Sequence, residues 1–342
     1  MHKKFVPMTA SSSTTVPISF VANLLAGTTL PPARQTALVH QAGIAPALLG
    51  AETARVTTDQ FATLYRLLAR ELDDELPGMF SRPVRAGAFK FLCLSLLESA
   101  NLQTALFRFT RFFHLVLDDF AIDLSRQDGL VRMALIPQTS AAVGNTFGQE
   151  IMLKLIHGVA SWLTGHRMAL ARVDCAYPRP RHASEYVFLY PGPVHFDQER
   201  SALYFEASAL ATPIRQDRKS LGTFLSKAPG GWLFVSFAER LVSQRVRETL
   251  EKHLGTPVCV ETVARSLHTS VRSLTRHLAA EGCTFQSIKD ELRRDVAIQR
   301  LTQSQTPIAV IGTEVGFDDP TTFHRAFKKW TGSTPAAYRL RR

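Results

Sequence analysis

Apolar positions along this chain change their spacing several times, and each change predicts a different kind of element. In 59-DQFATLYRLLARELDDE-75, Phe61, Leu64, Leu68 and Leu72 recur at the interval of one helix face, and Asp59 stands where an N-cap would. The segment 88-AFKFLCLSLLESANLQTALFRFTRFFHLVLDDF-120 is dense in Leu and Phe and predicts two buried helices flanking residues 99–101. Those helices read first as core. They could also wall a pocket for an apolar ligand, and the two readings are compatible. Residues 18–118 are expected to be mostly helical.

The period then shortens to two. The runs 120-FAIDL-124 and 130-LVRMALI-136 flank Gln-Asp-Gly, a hairpin signal. Residues 146–164 return to helix. Next, 171-ARVDCAYP-178, 186-YVFLYP-191, 194-VHF-196 and 202-ALYFE-206 predict short strands separated by Pro and Gly, giving a small mixed α/β layer. The cations of 179-RPRH-182 are expected on a solvated loop, with an anionic ligand as the other reading. Pro-Gly-Gly in 226-SKAPGGW-232 punctuates the chain and marks a linker over residues 215–238. Beyond it the pattern is helical again.

The C-terminal third repeats itself. Leu274 and Phe323 are 49 positions apart, as are Arg276 and Arg325, and Leu278 and Phe327. Each copy reads as helix, tight turn, helix. In the first, Val260, Val263, Ala264 and Leu267 point inward and His268-Thr269 turns the chain. Ser270 is placed to cap the next helix, which buries Leu274 and Leu278 at i, i+4. In the second, Gly316-Phe317 turns and Asp318 or Asp319 caps. Pro320 takes the first helical position, where no N–H is needed, and Phe323 and Phe327 anchor the helix. The outward residues are Arg272, Ser273, Thr275, Arg276 and His277 in one copy, and Thr321, Thr322, His324, Arg325, Lys328 and Lys329 in the other. A helix of this kind fits the DNA major groove, with arginine suited to guanine and lysine near the helix end suited to phosphate.

Charge agrees with that reading. The 342 residues carry a net charge of +11. Residues 231–342 hold 17 Lys and Arg against 11 Asp and Glu, and residues 1–230 hold 23 against 18, so the basic excess is denser in the last third. A basic balance permits a polyanionic partner. The four cysteines (Cys93, Cys175, Cys259, Cys283) form no CxxC, so no zinc or redox motif is written, and reduced thiols in a cytosolic protein are expected. No apolar run reaches the length of a spanning helix. Catalytic motifs of the GxSxG, HExxH and P-loop types are missing. His182 and Glu185 lack a third ligand or nucleophile, and His114 with Asp118 and Asp119 reads first as a helix-end ion pair, with a metal cluster as the other reading. No catalytic residue, metal or cofactor is expected, and the chain is not read as an enzyme.

The segment from about Val246 to Arg339 resembles the DNA-binding domain of the AraC/XylS family of bacterial transcription regulators. The residues that carry the resemblance are 264-ARSLHTSVRSLTRHLAAEGCTF-285, then Arg293, Ala297 and Leu301, then 315-VGFDDPTTFHRAFKKWTGSTPAAYR-339 with Gly332, Pro335, Tyr338 and Arg339. The resemblance implies two helix-turn-helix units held by a central helix, with both recognition helices in successive major-groove faces. It makes Arg272, Thr275 and Arg276 the base readers of the first unit, and Thr321, Thr322 and Arg325 those of the second. Gly312 replaces a usual alanine, at a cost of about 1 kcal/mol in a helix interior. His268 replaces a common turn glycine, and Pro320 a polar side chain.

The front of the chain resembles the effector-binding and dimerisation domain of the subgroup that includes ornithine-utilisation regulators. The residues that carry it are the Phe-rich helices, Tyr186, 193-PVHF-196 and 203-LYFEASALATP-213. The expected organisation is a disordered tail at 1–16, a mixed α+β effector-binding and dimerisation domain at 17–214, a linker at 215–238 and an all-α DNA-binding domain at 239–342. Its helix-turn-helix units lie at about 260–280 and 308–331. The expected function is sequence-specific transcription regulation, as an activator, in response to an unknown small-molecule effector. A ligand-independent architectural or repressor-type DNA binder is the alternative. The expected partners are double-stranded promoter DNA, an effector, RNA polymerase for an activator, and a second copy of the chain. No membrane is expected, and the place is the cytoplasm at the nucleoid. No residue is assigned to the effector.

Overall fold

Residues 15–234, 242–256 and 258–339 are described by the structure, a computed structural model. In chain order the strands are β1 (Thr15–Pro17), β2 (Arg55–Thr57), β3 (Phe120–Gln127), β4 (Leu130–Pro137), β5 (Arg172–Asp174), β6 (Val194–His195) and β7 (Ala202–Glu206). The helices of the first two-thirds are α1 (Ile18–Ala26), α2 (Pro32–Gln41), α3 (Thr58–Leu72), α4 (Ala88–Leu97), α5 (Leu102–Val116), α6 (Ser140–Gly144), α7 (Thr146–Thr164), α8 (Tyr186–Leu189), α9 (Arg218–Ser226) and α10 (Gly230–Leu233). Those of the last third are α11 (Val242–Lys252), α12 (Val260–Ser266), α13 (Val271–Ala280), α14 (Phe285–Gln303), α15 (Ile308–Glu314) and α16 (Pro320–Thr331). They form two compact units, one of residues 19–42 and 59–234, the other of residues 15–18, 43–58 and 242–339.

In the first unit the helical periodicity becomes burial. Phe61, Leu64 and Leu68 of α3 are inaccessible to solvent, as are Leu106 and Phe109 of α5. Asn101 separates α4 from α5 because its side chain accepts the Thr104 amide at 3.0 Å, an N-cap at the predicted break. The predicted hairpin is β3–β4. Asp128 and Gly129 both take left-handed backbone (φ 51° and 77°), as the two-residue turn that matches strand twist requires. The sheet order is β3-β4-β7-β5-β6, antiparallel except for the parallel β5–β6 pair.

Residues 186–191 depart from expectation. Tyr186–Leu189 is a helical turn, not a strand. Tyr186 and Tyr190 sit one turn apart, and both hydroxyls reach Glu150: Tyr186 donates to its carboxylate and Tyr190 to its carbonyl at 3.3 Å. Two buried polar anchors on one helix override the strand preference of a Tyr-Val-Phe run.

α7 is buried nearly all round and carries Glu150, Lys154 and His157 into the interior. His182 bonds to Glu150 at 2.9 Å, so part of 179-RPRH-182 is a core contact. Asp119 accepts the Ser81 amide and hydroxyl, at 3.0 and 2.7 Å.

The units divide the chain differently from the 17–214, 215–238, 239–342 scheme. Residues 218–233 form α9 and α10 inside the first unit, because their aromatic residues have partners there. Phe224 stacks on Trp162 with centroids 4.4 Å apart, and Trp232 is buried against Gly158. A Cβ at Gly158 would lie 2.5 Å from that of Trp232, so only glycine admits this packing. Of the expected linker, residues 235–238 lie outside the described residues. Of the expected tail, residues 1–14 do too. Thr15 and Val16, expected in that tail, are buried in β1.

The second unit is helical apart from the antiparallel β1–β2 pair (Thr15↔Thr57, Val16↔Val56, Pro17↔Arg55). Val246, Leu250, Val263, Ala264, Leu274, Leu278, Ile288 and Leu292 make one core around the first helix-turn-helix. Ile311, Val315, Phe323, Phe327 and Tyr338 are buried in the second. α14 joins the two units of the repeat. The fold class is thus the expected one, mixed α+β in front and two helix-turn-helix units on a shared helix behind. None of the described helices is long and apolar enough to cross a membrane.

Candidate nucleic-acid interface

Each recognition helix is started by a side chain that the sequence placed there. For α13 the Ser270 hydroxyl accepts the Ser273 amide at 3.1 Å. The turn before it passes through His268 at φ 54°, in the left-handed region where a glycine is easier. For α16, Asp319 rather than Asp318 is the cap. One of its oxygens accepts both the Thr322 amide at 2.7 Å and the Thr322 hydroxyl at 2.8 Å, and Pro320 fills the first helical position. Those two bonds hold the Asp319 carboxyl below its ordinary range, with a smaller contribution from Arg325. Gly316 (φ 85°) turns the chain before α16, and Gly332 (φ 67°) ends it.

The anchors are fully inside. Leu274, Phe323 and Phe327 are inaccessible and Leu278 is nearly so, which fixes the opposite face of each helix outward. Arg272, Thr275, Arg276 and His277 of α13 are exposed, as are Thr321, Thr322, His324, Arg325, Lys328 and Lys329 of α16. Two of these hydroxyls are partly committed. Thr275 donates to the Val271 carbonyl at 2.9 Å, and Thr322 donates to its own cap. The arginines are not. Among the described residues Arg272, Arg276 and Arg325 form no ion pair. Lys328 and Lys329 lie in the last turn of α16, where a cation also suits the helix C-terminus.

The second unit is braced by residues of the family resemblance. The Arg293 guanidinium lies 5.0 Å from the Phe317 ring and donates to the Gly316 carbonyl at 3.1 Å. Phe317 sits against Phe323 and Trp330, at 5.6 and 5.8 Å. Arg339 donates to the Thr306 carbonyl. Gly312 has a reason that sequence alone did not show. A Cβ there would meet the Phe323 side chain at 3.2 Å, so glycine lets α15 close on α16.

A buried cluster on α14 has no counterpart among the sequence-based expectations. Asp295, 1% exposed, accepts from Arg247 at 2.7 Å, from Arg294 at 3.1 Å and from the Thr15 hydroxyl at 2.6 Å. Arg55 donates to the Thr15 hydroxyl at 2.8 Å and to its carbonyl at 2.9 Å, and the Arg55 amide donates to the Tyr338 hydroxyl at 3.1 Å. Burial alone would raise the Asp295 carboxyl. Arg294, Arg247, Arg55 and Thr15 outweigh it and hold it well below the usual range. The strand pair β1–β2 is therefore part of the body that carries both recognition helices.

Comparison with known proteins completes the picture. Residues 33–214 match the family model described as the arabinose-binding domain of AraC transcription regulator, N-terminal, and residues 263–341 match a helix-turn-helix domain. The ornithine utilization regulator of Pseudomonas aeruginosa is 28% identical over 325 residues, 95% of this chain and 96% of that protein. The RCS-specific transcriptional activator RclR of Escherichia coli K12 is 26% identical over 226 residues, 61% of this chain and 75% of that one. Among solved structures, the regulator CdpR from P. aeruginosa aligns over 94% of this chain and 96% of its own, at 20% identity and a TM-score of 0.34. A family model over more than half the chain, joined to two capped helix-turn-helix units at its end, makes this chain a member of the AraC family of DNA-binding transcription regulators.

Proposed function

We propose that the protein is a transcription activator whose affinity for its operator changes with a small-molecule effector bound by the front unit. The observation that carries the DNA-reading part is the pair of capped helices with exposed arginines that form no ion pair among the described residues. Arg272, Thr275 and Arg276 read bases from α13, and Thr321, Thr322 and Arg325 read them from α16. His324 adds a contact, and Lys328 and Lys329 take phosphates. Bases read by two helices in successive groove faces lie in two blocks about one helical turn, roughly 10 bp, apart.

The match of residues 33–214 to an effector-binding domain model supports the sensing role, and an activator is among the similar proteins. Coupling then requires that the effector bind two conformations of the protein unequally. Dimerisation through the front unit and contact with RNA polymerase belong to the same proposal.

The test is selection of genomic fragments by the purified full-length protein, followed by sequencing. One motif with two blocks a helical turn apart is the expected result. Fragments with no shared motif, and binding that collapses with salt alike on all DNA, would favour a ligand-independent architectural binder.

A further inference from the structure

Within residues 59–234 lies a cavity of about 340 Å³, at the small end of the roughly 300–1,000 Å³ of small-molecule sites. Its walls are largely apolar and include the aromatic rings of Tyr65 from α3, Phe89 from α4, Phe112 and Phe113 from α5, and Trp232 from α10. Three charged side chains also line it, Arg66, Glu75 and Lys90.

These charges are not equivalent. Glu75 is fully engaged, one oxygen accepting the Gly87 amide at 2.9 Å and the other the Phe89 amide at 2.6 Å. The Tyr65 hydroxyl is engaged too, donating to the Glu75 carbonyl at 2.8 Å. Arg66 and Lys90 are exposed and form no ion pair among the described residues. The hydrogen bonds of Arg66 are long, 3.4 Å to the Ala228 carbonyl and 3.3 Å to the Thr63 hydroxyl. A cationic ligand would find the acid already satisfied. An anion would find two open cations beside an apolar chamber, where an arginine can grip a carboxylate with two N–H groups.

We infer that this cavity is the effector site and that it takes a small apolar monocarboxylate. The apolar body lies among Phe89, Phe113 and Trp232, and the carboxylate meets Arg66 and Lys90. This assignment rests on the effector-responsive reading above. The position suits signalling. Leu225, Ala228, Pro229 and Trp232, at the C-terminal end of the first unit, form one wall, and Trp232 is seated on Gly158. An occupant therefore holds the last helices of this unit in place, immediately before the chain enters the DNA-binding body.

The test uses the full-length protein and three probes sharing one body, 3-phenylpropionate, 3-phenylpropanamide and 3-phenylpropylamine, titrated calorimetrically. The carboxylate is expected to bind at least about tenfold more tightly than the amide or the amine. In the Arg66→Gln/Lys90→Gln protein that preference is expected to shrink to within about twofold. Ala69→Phe, which fills the cavity, is expected to remove carboxylate binding while the melting temperature stays near that of the parent. Equal binding of the three probes, an undiminished preference in the double variant, or no binding of any probe would overturn the assignment. Operator affinity is measured in parallel. Selective carboxylate binding with unchanged operator affinity keeps the cavity as a ligand site and sinks its effector role. An operator response to cell extract by a protein that binds none of the probes sinks the cavity and leaves effector responsiveness standing.

Discussion

The Thr15 hydroxyl donates a 2.6 Å hydrogen bond to Asp295, 280 residues further along the chain. The same hydroxyl accepts from Arg55, and Asp295 accepts from Arg247 and Arg294. Thr15 thereby closes a charge cluster on the helix that joins the two helix-turn-helix units. A carboxylate this deep is tolerated only because several donors surround it.

Asp295→Asn in the full-length protein is expected to cost about 3–5 kcal/mol, because it leaves the buried Arg247 and the half-buried Arg294 without their counter-charge. The effect depends on pH. The folded carboxyl titrates below its unfolded counterpart, so its contribution is fully present above about pH 4 and is lost as pH falls toward the folded value. Urea unfolding at neutral pH should separate parent and variant widely, and unfolding near pH 3 should bring them closer. A constant gap across that range would contradict the cluster.

Lys154 sits wholly buried on α7, donating to the Leu189 carbonyl at 2.5 Å, and burial pushes its ammonium down to about 7. The unfolded chain holds that proton up to about pH 10. Stability of the first unit should therefore fall as pH drops from about 10 to about 7, then level off. Lys154→Met should flatten that slope in a series of thermal melts. An equal slope in both proteins would remove Lys154 as its cause.

Arg276→Ala and Arg325→Ala are each expected to cost about 1–3 kcal/mol of operator binding and to relax specificity at one base pair. Lys329→Ala should weaken operator and random DNA alike and reduce the salt slope by about 1. Competition binding on single-base operator variants reads both effects. Uniform losses for all three substitutions would contradict the division into base and phosphate contacts.

Gly312→Ala should fail to stabilise the second helix-turn-helix. Helix propensity favours alanine by about 1 kcal/mol, but its Cβ would press on the Phe323 ring at 3.2 Å. The expected result is no gain or a loss in denaturant midpoint, relieved when Phe323→Leu is added. A clean gain for the single variant would mean that the ring yields without cost.

Legibility in the sequence followed the range of the forces involved. Ser270, Asp319, Gly316 and Gly332 act within a few residues, so both helix-turn-helix units and their outward faces follow from local pattern alone. The Asp-Gly hairpin and the Asn101 break are local in the same way. Tyr186 and Tyr190 misled, because Glu150 on a distant helix holds them as a helical turn. Gly312 misled too, because Phe323 lies opposite it rather than beside it in the chain.

By itself the sequence determined the family, the two repeated helix-turn-helix units, the hairpin and the basic faces, since caps, turns and periodicity are short-range chemistry. Only the tertiary structure decided that residues 15–17 and 55–57 belong to the DNA-binding body, that residues 218–233 belong to the front unit, and that Arg66 and Lys90 share a cavity. Those outcomes depend on burial and charge pairing between residues far apart in the chain, which no local pattern records.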